Sequence, residues 1–598
     1  MPAKFTEQKA KNPKESIKTL LKSLKPYRFP IIIAIVFAIT SIILNLLSPK
    51  ILGNITNSAV ESISKTGSLD LAPIKNYALQ LIVIYLVVAT LSYFQSYILG
   101  KMTAKYTEKL RTKIIDKIAK LPVSYFDAHQ FGDTLSILSN DVDVLAGSLS
   151  EELVQIITNL TTIIGCVIMM LVISPILAII ALIVVPVTTF SVSKIAQKAQ
   201  KHFVSQREVL GKLNSRIEED YSGQIIIRSN SHETASIEQF KTVNEKLFED
   251  SWKSQFLGSL AYPVVHFFTN LGYIGICLVG GNLVLSGKIL IGSIQAFIQY
   301  LSRFNQPLSN LSQIVATVQQ TLAAIERVDT FLNEKEEEPD PSPSKTIENI
   351  KGAVEFHDVC FSYDKKEEVI KNFSIKIRPG EQVAIVGPTG AGKTTIINLL
   401  MRFYDPDSGY ITIDGVPTKE MKRADVRNLF GMVLQDTWLF SGTVKENLVY
   451  GKRNATEKEV NQATKNTGIY HLIESMQKGF NSEISEDSDN ISAGEKQLLT
   501  ITRAMIKNPP MMILDEATSN VDTRAEQKIQ DAFEKLTKGR TSFVIAHRLS
   551  TIRNADQILV IKNGNIVEHG NHDELLKRNG FYAELYNSQF SDLVKQKA

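Results

Sequence analysis

Six stretches of this 598-residue chain are apolar and nearly free of charge, and all of them fall before about residue 305. Residues 29–47 and 77–99 hold no Asp, Glu or Lys. Residues 153–173 and 176–192 form a second pair, broken only by Ser174 and Pro175. Residues 256–285 and 289–301 form a third, divided near Gly280, Gly281 and the lone Lys288. A membrane helix needs ~20 apolar residues to cross ~30 Å of hydrocarbon, so these stretches predict six spans in three hairpins. The last, with Gln295, Gln299 and Arg303, is the least suited to face lipid. Buried helices of a soluble core rarely run so long without a charge.

The basic residues of the short connections orient the spans. The N-terminal stretch carries Lys4, Lys9, Lys11, Lys14, Lys18, Lys22, Lys25 and Arg28. The segment after the second span carries Lys101, Lys105, Lys109, Arg111, Lys113, Lys117 and Lys120. The opposite connections hold far fewer, Lys65, Lys75 and Lys288 among them. Both termini are therefore expected in the cytoplasm, with the chain multi-pass in a cytoplasmic membrane. The N-terminal stretch lacks the features of a cleaved signal peptide. Its Ile17, Leu20, Leu21 and Leu24, interleaved with lysines, predict an amphipathic helix on an anionic leaflet.

Averaged over the chain, none of this is visible: 44% hydrophobic, 21% charged and a net charge of +4 are ordinary globular values. They exclude disorder, collagen-like repeats and a disulfide scaffold, and the charge gives no reason to invoke nucleic acid. The three cysteines, Cys166, Cys277 and Cys360, have no metal or redox spacing and are expected to be small buried hydrophobes.

Two connections on the basic side, 101–152 and 193–253, are long, charged and helix-rich, so the membrane helices are expected to run on well beyond the bilayer. Each has a turn-like interruption, at 124–133 and at 218–224, where a partner domain can push. After Phe304 hydrophobicity falls, and EKEEEPDPSPS at 334–344 has the acidic, Pro-rich character of a linker. From Gly352 onward β-branched runs alternate with helical patterns, as in an α/β domain. The expected division is 1–333 transmembrane, 334–349 linker and 350–598 a separate α/β domain.

The second half opens on a strand-like EQVAIVG. Gly387, Pro388, Thr389, Gly390, Ala391, Gly392, Lys393, Thr394 and Thr395 follow, and then a helical IINLLMRF. This is G-x-x-x-x-G-K-[ST] in its strand–loop–helix setting. The glycines let backbone N–H groups converge on phosphates, with the helix terminus adding partial positive charge. Lys393 is expected to bridge the β and γ phosphates of ATP, and Thr394 to offer its hydroxyl to Mg2+. A second apolar run ends in Asp515 and Glu516. Alternation along a strand gives them different directions, Asp515 to hold Mg2+ through water and Glu516 to face the attacking water. A third run, 541–546, delivers His547 to the same sheet edge. The hairpin ILVIKNGNIVEHG, turning at Asn563-Gly564, reads as structure only.

Together these residues resemble the ATP-binding cassette family, and the chain is similar over its full length to a half-transporter of the exporter type. The resemblance implies that Tyr363 in FSYD stacks on adenine, that Gln435 in VLQDTWLF serves as the Q-loop and touches Mg2+, and that 519–522 (SNVD) is the D-loop. FDAHQFGD and the following NDVD are similar to the family's first coupling-helix region. One cassette copy implies a dimer, because each ATP is sandwiched between one chain's P-loop and its partner's signature sequence. Here that signature departs from LSGGQ: Ile491-Ser492-Ala493-Gly494-Glu495 keeps Ser492 and Gly494 as ATP-contacting groups but adds a Cβ and a carboxylate. Either Glu495 repels a γ phosphate, or it faces away or pairs with Lys496. The preceding SEISEDSDN also departs from the usual TEVGERG type.

A complete set of cis groups beside a non-consensus signature resembles the glutamate-bearing subunit of heterodimeric bacterial multidrug exporters. The expected partner is then a non-identical half-transporter with LSGGQ and a degenerate Walker B. The function implied is ATP-driven export of hydrophobic or amphipathic small molecules. A dedicated lipid, peptide or metabolite exporter and an ATP-gated channel stay open. Tyr93, Gln95, His266, Gln295, Gln299 and Phe304 are candidates either for a substrate cavity or for helix packing.

Overall fold

A computed structural model of the chain describes residues 12–595, apart from 436, 486–490, 516–522 and 546–548. Its contacts divide it into two compact units, one of residues 1–120 and 129–335, the other of 121–128 and 336–598.

The first unit is helical. It opens with α1 (Pro13–Leu24), and α2 (Arg28–Thr66) ends on Gly67, whose φ of 64° is left-handed and stops the helix. Next comes α3 (Leu71–Ile118), capped by Asp70, whose side chain accepts from Ala72 N. The short α4 (Val123–Ala128), whose residues belong to the second unit, α5 (Phe131–Ser136) and α6 (Val142–Gly147) lead to α7 (Leu153–Ile173). Ser174 and Pro175, a cap and a first-turn proline, then start α8 (Pro175–Ser222). A single turn, α9 (Gln224–Ser229), precedes α10 (Glu233–Ser259), α11 (Ala261–Leu285) and α12 (Ile291–Leu332). At 1.5 Å per residue the 48-residue α3 and α8 are each ~72 Å long, more than twice a bilayer's hydrocarbon, so they run on past it as their sequences predict. The turn-like segments fall where α3 gives way to α4 and α5, and where α8 gives way to α9.

Among the described residues, five helices are long and apolar enough to cross a membrane. The sixth expected span lies in α12, where Gln295, Gln299, Arg303 and Asn305 interrupt the apolar run, and its first third is the core of the bundle. Ala296, Phe297, Tyr300, Leu301 and Phe304 are at most 4% exposed and pack with Leu46, Cys166, Met170, Leu177 and Ile276. Its charge has a backbone task. Pro49 inside α2 has no N–H, so the carbonyl of Asn45 four residues back loses its helical donor. Arg303 Nη1 donates to that carbonyl at 2.7 Å, Ser48 Oγ does so at 2.7 Å, and Arg303 Nη2 reaches Ser48 Oγ at 3.1 Å. In lipid no water can fill such a vacancy. Nearby, α2 and α12 touch through glycines: a Cβ on Gly292 would stand 1.9 Å from the Gly53 carbonyl.

The outer faces carry exposed Leu86, Ile183 and Leu278, as helices in lipid should. Cys166 is buried as expected, but Cys277 is exposed on α11 and Cys360 half-buried. Apolar surroundings in sequence do not distinguish a helix's packed face from its lipid face. The cavity candidates also separate. Phe304 is core and Gln295 accepts from Thr56, whereas Tyr93 and His266 are exposed.

The second unit is α/β. An antiparallel sheet runs in the order β2 (Ile370–Ile377), β1 (Val354–Phe361), β4 (Ser408–Ile413), β5 (Val416–Pro417). A six-stranded sheet has β3 (Gln382–Val386) and β6 (Phe430–Val433) from the first part of the unit. The short pair β7 (Gly442–Thr443) and β8 (Glu483–Ile484) stands apart, and β9 (Met511–Asp515), β10 (Thr541–Ile545), β11 (Gln557–Lys562) and β12 (Asn565–Gly570) complete the larger sheet in the order β12-β11-β3-β10-β9-β6. Strands β11, β3, β10, β9 and β6 are mutually parallel. Buried on both faces, they read as unbroken apolar runs. One core joins Val354, Phe373, Ile385, Phe543 and Leu400 between the two sheets; another packs Leu514, Val544, Leu498 and Ile529 on the opposite face.

The acidic segment before β1 forms neither helix nor strand but is fastened to this unit. Glu337 and Asp340 meet the buried Arg423 at 3.1 Å each, and Glu337 also meets Arg427 at 3.2 Å. The segment expected as a linker is thus also a strap.

Candidate functional site

Parallel pairing brings the sequence motifs to one edge. Ile385 is level with Ile545, Ile545 with Asp515, and Leu514 with Val433. The loop after β3, the end of β10 at Ile545, Asp515 at the end of β9 and Gln435 after β6 therefore lie side by side at the sheet edge. The carboxyl edge of parallel strands is where α/β sheets take ligands. Glu516, His547 and the D-loop residues 519–522 follow directly from β9 and β10 but lie outside the described residues, as do 486–490 before the signature.

The loop Gly387–Gly392 passes into α13 (Lys393–Leu400) with Gly392 at φ 104°, a left-handed conformation that suits glycine, and a Cβ there would stand 2.8 Å from Ile370 Cδ1. Lys393 folds over the loop, donating from Nζ to the carbonyls of Gly387 at 2.7 Å and Pro388 at 3.1 Å. Burial pushes its pKa down, and the charge of Asp515 acts against that shift. The ammonium is thus partly desolvated and faces a carboxylate, a setting in which a polyphosphate would be a strong counter-charge. Thr394 is exposed at the helix start, and Thr395 is buried.

Tyr363 lies beside the start of α13. Its hydroxyl lies 3.1 Å from Thr395 Oγ1, while its ring is 46% exposed and meets Phe361 and Tyr404 edge-on at 4.9 and 5.1 Å. Gln435 is exposed just beyond β6. The chain after it is pinned by Asn447, whose amide donates to the Phe440 carbonyl at 2.8 Å, and by Arg503, which donates to the Asn447 carbonyl at 2.8 Å. Among the described residues no three His, Cys, Asp or Glu side chains cluster as a metal cage. A hydroxyl, a carboxylate and an amide at one edge instead suit Mg2+, which keeps waters and borrows phosphate oxygens.

The signature opens the helix Ala493–Lys507. Ser492 is its cap, and Glu495 completes a capping box: Oε2 accepts from Ser492 N at 2.9 Å and from Ser492 Oγ at 2.8 Å. So Glu495 turns back onto the signature serine itself, neither away from it nor free of it. Gly494 is buried and Ala493 exposed.

Two supports escaped sequence reasoning. The Asn563-Gly564 turn braces the phosphate loop: Gly564 N donates to the Ala391 carbonyl at 3.3 Å, and a Cβ on Gly564 would meet the Val369 carbonyl at 2.3 Å. Tyr404, in the aromatic cluster with Tyr363, donates to Asp127 of α4; burial, with Asp127 in support, raises its pKa. The Asn-Gly pair gave a signal for the first as a hairpin but none for its neighbour. Nothing near Tyr404 marks the second.

A membrane-spanning helical unit and a phosphate-loop α/β unit on one chain define a membrane ATPase of the transport type. The comparisons agree. Residues 31–308 match the ABC transporter transmembrane region and residues 370–519 the ABC transporter family. The chain is 42% identical to a Mycobacterium bovis protein named as a fatty acid ABC transporter ATP-binding/permease protein, over 86% of this chain and 82% of that one. It is 34% identical to a Syntrophus aciditrophicus protein named as an ATP-dependent lipid A-core flippase, over 86% and 85%. It is similar in structure to a bacterial Atm1-family ABC exporter solved with ATP bound, with a TM-score of 0.70 and 26% identity over 93% of this chain and 98% of that one. The chain belongs to the ABC transporter family and is a multi-pass half-transporter of the exporter type, an ATP-binding protein whose ATPase is coupled to transport.

Proposed function

We propose that this chain forms one half of an exporter in the cytoplasmic membrane that moves hydrophobic or amphipathic small molecules outward, multidrug compounds among them, with both termini cytoplasmic. One observation carries the reading: a helical unit with lipid-length spans is continuous with an α/β unit whose Lys393 loop, Asp515 and Gln435 share one sheet edge.

In this reading Lys393 and the loop amides hold the β and γ phosphates, and Tyr363 stacks on adenine. Thr394, Asp515 and Gln435 hold Mg2+, which supplies charge neutralisation at the phosphates. Glu516 orients and deprotonates the attacking water, with His547 beside it. Ser492 and Gly494 serve the partner chain's ATP. The partner is expected to be non-identical, with LSGGQ opposite this Glu516 and no Walker B glutamate of its own. The capping box supports that asymmetry, since the Ser492 hydroxyl is engaged by a carboxylate where a phosphate would need it as a donor. The test is uphill uptake of a fluorescent amphipathic cation into inverted vesicles. The chain paired with such a partner should transport, and either chain alone should not. A drug-stimulated homodimer of this chain would overturn the asymmetric part.

A second reading, a dedicated exporter of fatty-acyl amphiphiles, has its own support in the 42% identical relative named as a fatty acid transporter. Stimulation of ATPase activity by long-chain fatty acids but not by cationic dyes would favour it.

A further inference from the structure

Where α1 meets α2, the helical unit holds a pocket of about 300 Å3 outside everything assigned above. Its walls come from four helices and a connection: Leu24 of α1, Ile35 of α2, Leu99 and Met102 of α3, Leu149 before α7 and Ile157 of α7. Leu24, Leu99, Met102 and Leu149 are at most 6% exposed, and Ile35 and Ile157 are half-buried. The polar side chains that line it are Lys25 and Arg28, both exposed, which places them at the mouth. The volume lies at the small end of ligand pockets (~300–1,000 Å3), narrow enough for one extended hydrocarbon chain.

Three observations select the occupant. The pocket opens beside lipid-facing surface, since Ile32 and Val36 of the same α2 turns are 56% and 52% exposed. The helix over it is amphipathic in the expected way, with Ile17 and Leu21 exposed among Lys14, Lys18 and Lys22, and Glu15 as its one acid. Such a helix lies in the headgroup plane, with its lysines toward anionic lipid. The mouth is doubly cationic with no carboxylate in the lining, which disfavours a cationic amphiphile and complements an anionic headgroup.

We propose that this pocket is a lipid site. It seats one acyl chain of an anionic phospholipid from the leaflet on the lysine-rich side, with the headgroup phosphate held by Lys25 and Arg28. The hydrocarbon gives affinity and the two cations give headgroup preference, about tenfold over a zwitterionic lipid. The site is independent of the transported substrate and of the nucleotide edge.

The test uses the full-length chain in phosphatidylcholine nanodiscs containing traces of phosphatidylglycerol or phosphatidylcholine with a photoactivatable diazirine in one acyl chain. Labelled peptides are then mapped by mass spectrometry. The expected result is labelling at 24–35, 99–102 and 149–157, about tenfold stronger for phosphatidylglycerol. The double change Lys25→Gln with Arg28→Gln should erase the headgroup preference. Ile157→Trp or Leu149→Trp should fill the pocket and remove the label there, while leaving that at the lipid-facing peptide around Leu278. Equal labelling by the two lipids, labelling indifferent to both tryptophans, or cross-linking of the pocket to the chain's own residues 1–11 would overturn the proposal.

Discussion

Glu495→Gln isolates the charge of the signature from its shape. Glutamine serves a capping box as well as glutamate, so the helix Ala493–Lys507 should keep its first turn and the fold should be unchanged. What changes is the group beside Ser492. The carboxylate accepts the Ser492 hydroxyl at 2.8 Å, so a phosphate oxygen approaching the same hydroxyl meets a proton already committed. Two acceptors each ~2.8 Å from one oxygen at a tetrahedral angle stand ~4.6 Å apart. At an effective dielectric of ~20, unit charges at that separation repel by roughly 3 to 4 kcal/mol. Glu495 is half-exposed, so solvent reduces this to about 1.4 to 2.8 kcal/mol, a tenfold to hundredfold change in affinity. Glutamine removes the repulsion and can donate to Ser492 Oγ, freeing the hydroxyl for phosphate. The assay is fluorescent ATP binding to the purified full-length transporter in a Glu516→Gln background, which suppresses turnover. Affinity at the site this signature faces should tighten tenfold to hundredfold, with an unchanged melting temperature. Affinity within twofold of the parent would refute the reasoning and place Glu495 away from the phosphate.

Other consequences are equally open to measurement. Arg303→Met strips the Asn45 carbonyl of its charged donor and should cost about 1 to 3 kcal/mol in thermal unfolding of the detergent-solubilised protein. Adding Pro49→Ala restores the missing backbone donor and should recover most of that, and additive losses would show that the carbonyl is not the link. Gly564→Ala places a Cβ 2.3 Å from the Val369 carbonyl at φ 82°, so the turn must move and release Ala391. ATP affinity should fall several-fold with the spans intact, and unchanged affinity would remove the turn from the site. His572, buried against Tyr582 with Nδ1 2.7 Å from its hydroxyl, has its pKa lowered by burial. The unfolded chain therefore binds the proton first, and stability is full above the unfolded value near ~6.5 and lost as pH falls below it. His572→Gln should flatten that slope, and an unaltered profile would assign it to other groups.

The spans were legible because burial in lipid and burial in protein leave the same mark, a long run without charge. For the same reason the sequence could not tell Cys277 from Cys166, or show that the stretch around Tyr300 is the bundle's core. The phosphate loop and Asp515 could be proposed from residue types at fixed spacing, whereas Gln435 entered only through the family resemblance. That they share one edge follows from the parallel strands that precede them. Arg303 was visible only as an oddity in an apolar helix, since its reason is a proline more than 250 residues earlier. The hold of Glu337 and Asp340 on Arg423 left no mark in the sequence because Arg423 lies in another element. Glu495 left two readings open in sequence, and the cap geometry gives a third that couples its charge to the serine it borders.

In the proposed function, ATP hydrolysis at the Lys393 edge drives export through the spans of the same chain and its partner. The direct measurement is ATP-dependent accumulation of a fluorescent amphiphile in inverted vesicles, comparing the parent transporter with Glu516→Gln at saturating ATP. The expected result is uphill accumulation by the parent, its loss in the variant, and retained ATP binding in both. Accumulation that survives Glu516→Gln, or an ATP-gated current without any uphill accumulation, would contradict it.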